Sequence, residues 1–422
     1  MARRRVLMDL RPLRESPAFR RLWLGWGLSS FGSQMTSFAV ALQVYEITRS
    51  SLAVGAVGLS MALPTILLAL VGGAVADAVD RRELVLITSA CLTVVSAVFA
   101  AQAFAGMRQV WLLYGLVAVQ SLLNAVNAPA RGTFLSRLLP PHLVPAGAAL
   151  NAFTFHASMT AGTALAGVIT AVWGLKICYL VDALSFAAAL HGVARLPAMP
   201  PEAGTARPGL RSVVDGLRFI RRTAVVKGAF LADMSAMALG APMALLPAIN
   251  AEHFGGGPET LGLLTAAPTV GGLLGSALSG PVGRVRRQGR AMLVAGAVWG
   301  AGLVGFGLAT HLGTALALLA IAGAADSVSV VFRTAMAQSA TPDSHRGRVS
   351  AAEYVVGAGC PYLGNFRAGL VGSLVSPAFG VISGGVATIA GAALIGLLLP
   401  AFTRYTTEAS DQEPARPPAP QS

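Results

Sequence analysis

An all-α polytopic membrane protein, with twelve transmembrane helices in two pseudo-symmetric six-helix bundles, is the fold class the sequence predicts. Three observations lead there. Charged residues make up 12% of the 422, against 55% hydrophobic, and a soluble domain carries about twice that charged share. Apolar runs of about 20 residues, enough to cross a bilayer as a helix, recur twelve times along the chain. An internal repeat relates the last six runs to the first six.

The elements follow in order. Residues 1–21 form a basic N-terminal segment expected in the cytoplasm, and residues 22–196 the first bundle. Its spans lie near 22–45, 52–76, 84–106, 110–130, 148–172 and 177–195. The first span is too long for a signal peptide and is followed by no small-residue cleavage site. Residues 197–224 form a linker that opens on the Pro/Gly stretch MPPEAGTARPG. It continues as LRSVVDGLRFIRR, where Leu210, Val213, Val214, Leu217 and Ile220 recur at helical spacing, predicting an amphipathic helix on the membrane surface. The second bundle occupies 225–404, with spans near 225–250, 260–283, 291–311, 314–334, 350–373 and 378–402. The Pro-rich tail, 405–422, reads as disordered.

The repeat has a fixed offset of 202 over its later part. Arg131 matches Arg333, Pro140 matches Pro342, Gly162 matches Gly364 and Gly167 matches Gly369. Upstream the offset is 207, pairing Gly55 with Gly262 and Gly73 with Gly280. Parallel six-helix repeats are an architecture of secondary transporters.

The net charge of +13 raises the question of nucleic acid, and its distribution answers it. Only Arg49, Arg108 and Lys176 fall in loops that face outward when the N-terminus is inside, and Arg367 lies within a span. The other 27 of the 31 Lys and Arg occupy the opposite loops, nearby span ends and the termini. That bias places both termini in the cytoplasm of a cell (inner or plasma) membrane protein, and no nucleic-acid partner is expected. Cys91, Cys178 and Cys360 lie singly within spans, which speaks against a disulfide framework or a metal cluster.

The stretch GGAVADAVDRREL, between spans 2 and 3, packs five charged residues into seven positions. Gly73, Asp77, Arg81 and Arg82 resemble the loop 2–3 signature of the major facilitator superfamily, Gly-x-x-x-Asp-(Arg/Lys)-x-Gly-(Arg/Lys)-(Arg/Lys); Ala78 and Asp80 depart from it. SPAFRRLWLG, VYEITRSSLAVG, LGLLTAAPTVGGLLGSALSG and RGRVSA extend the resemblance to the enterobactin-exporter branch, which also contains drug and antibiotic exporters. The resemblance implies that Asp77 docks on the start of span 11 and bridges the halves, while Arg81 clasps nearby acids. A carboxylate at a helix N-terminus is worth about 0.3–2 kcal/mol. The alternative is a tight turn whose arginines merely fix topology. Ser350-Ala-Ala-Glu353 has the form of a capping box for span 11.

Polar side chains deep in a bilayer are costly and mark candidate sites. On span 4, Gln120, Asn124, Asn127 and Arg131 share one helical face. The repeat maps Asn124 to Asp326, Asn127 to Ser329 and Arg131 to Arg333. These matching stripes are expected to line a central cavity; helix-to-helix hydrogen bonding is the alternative. Span 1 adds Ser30, Ser33, Gln34 and Ser37. Asp326 and Asp233 are the leading proton-coupling candidates, because apolar surroundings press a carboxylate toward its neutral form. Asp182 and Glu46, near outer span ends where water is in reach, rank below them. Arg367 is placed to snorkel to the surface, to pair with an acid, or to attract an anionic substrate.

In span 5, Thr163 stands after Gly162 where exporter-type relatives carry the proline of an antiporter motif, and in span 4 Trp111 sits near the place of their arginine. No HExxH, GxSxG, P-loop or dinucleotide fingerprint is present, so neither catalysis nor a cofactor is expected. The reading is a monomeric secondary exporter of small amphipathic molecules (siderophore, antibiotic or drug-like) with protons as the coupling ion. A lysolipid flippase and a non-transporting sensor are the alternatives.

Overall fold

The computed structural model describes residues 9–69, 79–196, 210–277 and 285–406. Gly73 and Asp77 lie outside them. The first half comprises α1 (Pro17–Thr48), α2 (Ser51–Ala69), α3 (Arg81–Phe104) and α4 (Val110–Leu138), then α5 (Pro141–Trp173) and α6 (Leu175–Ala194). The linker contributes α7 (Leu210–Arg222). The second half comprises α8 (Ala224–His253), α9 (Pro258–Ala277), α10 (Gln288–Leu308), α11 (Leu312–Ala340), α12 (Asp343–Leu374) and α13 (Pro377–Leu398). Helices suit a bilayer because they satisfy their own backbone.

Among the described residues nine of these helices are long and apolar enough to cross a membrane. The described apolar stretch of α2, Ser51–Leu67, is shorter than that. Helices α1 and α12 are long enough, and their polar residues keep them out of the nine.

Local chemistry sets the helix ends. Ser16 caps α1 by accepting from the Phe19 amide at 3.1 Å, with Pro17 in the first turn, and Ser376 caps α13 in the same way. Asp80, one of the two residues that depart from the loop signature, caps α3: its Oδ1 accepts from the Arg82 and Glu83 amides at 2.8 and 3.3 Å. The capping box expected at Ser350–Glu353 does not start a helix. Helix α12 begins at Asp343, so Ser350 lies two turns inside it. The chain also stays structured past the expected start of the tail, through Thr406, because Phe402 inserts its buried ring beside Gly228 and Gly289.

Helix pairings repeat between the halves. Contacts α1–α6, α3–α6, α3–α4 and α2–α4 recur as α8–α13, α10–α13, α10–α11 and α9–α11. Between the halves, α2 packs on α12 and α5 on α9, again a symmetric pair. Lipid offers no hydrophobic drive to join helices, so close approach at small residues has to supply the attraction. A Cβ added to Gly369 would lie 2.5 Å from the Ser51 carbonyl oxygen and 3.0 Å from Gly55 Cα. At Gly167 it would lie 2.7 Å from the Pro258 oxygen and 2.9 Å from Gly262 Cα.

These crossings lie toward the end of the molecule opposite the termini. There one buried core is common to both halves, with Phe38, Phe99 and Tyr179 from the first and Leu245, Leu264 and Phe306 from the second. Toward the terminal end the cores separate. One holds Leu22, Val85, Phe134 and Val193, another Met292, Phe332, Met336 and Phe402, with no residue of the opposite half among the described residues. Among the described residues, the buried core shared by both halves thus lies at one end.

Candidate substrate cavity

A cavity of about 490 Å³ lies between the halves, within the 300–1,000 Å³ range of small-molecule sites. Helix α1 supplies Gln34, Ser37 and Phe38, and α5 supplies His156, Met159 and Thr163. From the second half come Thr265 and Thr269 of α9, Trp299 of α10, Asp326 and Ser327 of α11 and Asn365 of α12. Asp326 is the one carboxylate in this wall, and no Lys or Arg lines it among the described residues.

Two irregular helices shape the wall. In α5 a π-helical turn, Ser158–Gly162, immediately precedes Thr163. Such bulges distort the backbone without proline and favour functional sites. They give this span an irregularity where the resembling exporters carry proline. Gly162 there lets Gln34 approach, since a Cβ would meet Gln34 Cβ at 2.9 Å.

Helix α8, expected to be continuous, is broken. Its first segment ends at Gly240, and after Ala241 and Pro242 the chain resumes through Met243–Leu245 into Leu246–His253. A break exposes backbone groups that apolar surroundings cannot satisfy, and α12 satisfies them. Arg367 donates to the Leu239 carbonyl at 3.0 Å and to Ser383 Oγ at 3.0 Å, while Asn365 Oδ1 accepts from the Ala244 amide at 3.2 Å. Among the described residues Arg367 thus pairs with no acid and stays out of the cavity wall: it braces the end of a helix segment, where cations are favoured. Arg367→Met is expected to cost about 1–3 kcal/mol by leaving buried carbonyls unpaired, seen as a lower melting temperature of the purified protein. Arg367→Lys should recover part of the loss.

Asp233 of α8 accepts a hydrogen bond in an ion pair from Arg333 of α11, and both side chains are largely buried. Arg333 lies seven residues beyond Asp326, two turns along one face and about 10 Å at 1.5 Å per residue. The structure thus brings three of the predicted residues, Asp326, Asp233 and Arg333, to one side of the second half.

The other predicted residues are placed elsewhere. Asp182, expected within reach of water, is fully buried between α1, α3 and α6. Its Oδ2 accepts from Ser96 Oγ at 2.7 Å and Thr36 Oγ1 at 2.9 Å. Glu46 is exposed near the end of α1. Asn127 donates to Thr88 Oγ1 at 2.7 Å, and the Arg131 guanidinium lies 5.0 Å from the Trp26 ring centre. Asn124 and Arg131 share a separate small cleft within the first half. Gln120 and Ser329 are half-buried and absent from the central wall. Arg81 is buried at the start of α3, and Arg82 donates to the Ala194 carbonyl at 2.7 Å, tying α3 to α6. Most of the wall escaped the sequence reading, Met159, Thr265, Thr269, Trp299 and Ser327 among it, as did His156, for which no pattern points inward, and Asn365, beside the noticed Arg367. The α8 break had a visible signal in Gly240-Ala241-Pro242 inside an apolar run.

A family profile described as a transmembrane secretion effector matches residues 8–420. The chain is 26% identical over 402 residues to the enterobactin exporter EntS of Shigella boydii, covering 93% of each chain. It is 27% identical over 328 residues to the uncharacterized MFS-type transporter YfiS of Bacillus subtilis, covering 73% of this chain and 74% of that one. The structure matches a POT family transporter crystallised with 5-aminolevulinic acid at a TM-score of 0.74 and 10% identity, covering 92% and 97% of the two chains.

Proposed function

The chain belongs to the transmembrane secretion effector family of major facilitator transporters, and from that footing we propose that it is a proton-coupled exporter of small amphipathic molecules. The observation that carries this reading is a mostly apolar cavity between two separable halves, with Asp326 as the carboxylate in its wall. Apolar and aromatic groups such as Phe38, Met159 and Trp299 suit the greasy part of a substrate, and Gln34, Thr265 and Asn365 its polar groups. An anionic cargo finds no arginine or lysine there among the described residues. Neutral or cationic amphipaths fit best.

Export needs the cavity to open to one side at a time. The halves, joined through α2–α12 and α5–α9, rock so that the closed end opens as the terminal end closes. A proton on Asp326 removes the charge that a cationic substrate would pair with. Loading the proton from outside and releasing it inside then exchanges one cation for the other. Arg333, two turns along α11, and its partner Asp233 of α8 lie near enough to sense that change.

The test is uptake into inside-out vesicles with an acidic interior, comparing a cationic amphipathic dye with an anionic one. Accumulation of the cation that collapses with a protonophore supports the reading. Uptake indifferent to the proton gradient defeats the coupling, and preference for the anion defeats the substrate class.

Orientation in this reading puts the terminal end in the cytoplasm, with Asp77 latching that end when it closes. A single cysteine replacing the exposed Arg221, in a background lacking the native cysteines, should resist an impermeant thiol reagent added to intact cells. A cysteine at Gly256 should react. The reverse pattern inverts the topology.

A further inference from the structure

We propose that α10 carries a binding site for an anionic phospholipid, its headgroup held by Arg287, Arg290 and Arg404 and its acyl chains lying in two grooves that flank the helix. The site is on the outer surface of the second half, away from the central cavity.

The grooves follow from how α10 packs. It crosses α13 at Gly300, where an added Cβ would lie 2.7 Å from the Gly385 carbonyl oxygen. It crosses α11 at Gly302, where an added Cβ would lie 3.0 Å from Ala322 Cβ. Helices that meet this closely at one point and cross at an angle diverge beyond it. Toward the terminal end the divergence leaves a wedge on each side. The wedge between α10 and α13 holds about 490 Å³ and is floored by Ala297, Ala392, Ala393 and Gly396. The wedge between α10 and α11 holds about 810 Å³ and is walled by Val294, Val298, Ile321 and Ala325. Both are apolar along their length, as an acyl chain requires.

Arg287 and Arg290 line both grooves. Arg404 joins them because Phe402 anchors the chain after α13 and Thr406 bridges back to Arg287. All three arginines are exposed and none makes an ion pair among the described residues. Eleven residues separate Arg287 from Val298, about 16 Å at 1.5 Å per residue. That is close to half of a hydrocarbon core about 30 Å thick. The guanidinium groups therefore sit at headgroup depth when the grooves lie in one leaflet. Basic pockets between membrane helices select anionic headgroups by charge, and guanidinium pairs with phosphate in two-pronged fashion. A phospholipid with net negative charge, of the phosphatidylglycerol type, matches both ends of the site.

Native mass spectrometry of the delipidated full-length protein tests this, with phosphatidylglycerol and phosphatidylcholine offered in equal amounts. The wild type should retain phosphatidylglycerol at least fivefold over phosphatidylcholine. Arg287→Ala/Arg290→Ala/Arg404→Ala should abolish that preference, whereas the corresponding triple lysine variant should keep at least half of it. Arg221→Ala/Arg222→Ala, which removes two cationic side chains from α7, should leave it unchanged. Ala291→Phe/Ala393→Phe, filling the grooves with the arginines intact, should lower retention at least fivefold. Glycerol phosphate should not compete. Equal retention of the two lipids, full retention by the triple alanine or groove-filled variant, or competition by glycerol phosphate would overturn the proposal.

Discussion

Asp326→Asn is expected to abolish proton-driven accumulation of substrate, bringing the ratio of internal to external substrate down at least tenfold to near unity, while exchange of substrate across the vesicle membrane persists. The asymmetry of the repeat gives the reason. Asn124 and Asp326 occupy equivalent positions, yet only Asp326 lines the central cavity and only Asp326 can carry a proton. The amide keeps shape and polarity, so binding and rocking survive and coupling does not. Accumulation is read per folded transporter, because a carboxylate that merely braced helices would lose protein rather than coupling. Wild-type accumulation in the variant removes Asp326 from the mechanism. Asp233→Asn is a different case. It removes the carboxylate charge that pairs with the largely buried Arg333, and breaking such a pair from one side costs about 3–5 kcal/mol. Its main effect should fall on folded yield.

A side chain at Gly167 or Gly369 is expected to hold open the end of the transporter that is closed in this structure. Each Cβ would press on backbone, at 2.7 Å and 2.5 Å from carbonyl oxygens, and backbone in a packed helix cannot swing aside. Leucine at either position should cut transport at least tenfold. It should also raise the reactivity of a cysteine placed at Thr265, in the cavity wall, toward a reagent added from the end opposite the termini. Alanine should produce the same change in smaller measure. Lost transport with unchanged cysteine reactivity would mean that the substitution damages folding and does not shift the equilibrium between open ends.

The bundle was legible because membrane helices announce themselves by length and the repeat announces the halves. The site was legible only in part. Spacing placed Asn124, Asn127 and Arg131 on one face, but face is not destination. Asn127 spends its amide on Thr88, and Arg131 stacks over Trp26, inside the first half. In lipid a polar side chain needs a partner wherever it points, so polarity alone does not separate cavity from packing. Arg367 illustrates the same limit: its partner is a carbonyl freed by a break in another helix, which only the fold brings near. Ser350-Ala-Ala-Glu353 resembled a cap because local pattern carries no record of the helix already begun at Asp343.

The two glycine crossings carry a consequence for symmetry. Gly55 meets Gly369 and Gly262 meets Gly167, and the repeat equates Gly55 with Gly262 and Gly167 with Gly369. The second contact is therefore the first with the partners exchanged, which is the defining property of an isologous interface, where residue i touches j and j touches i. Six helices carrying both glycines would be self-complementary, able to close against an identical copy about a twofold axis. The two halves of this one chain therefore meet as the subunits of an isologous dimer would, through a seam whose two sides carry the same residues.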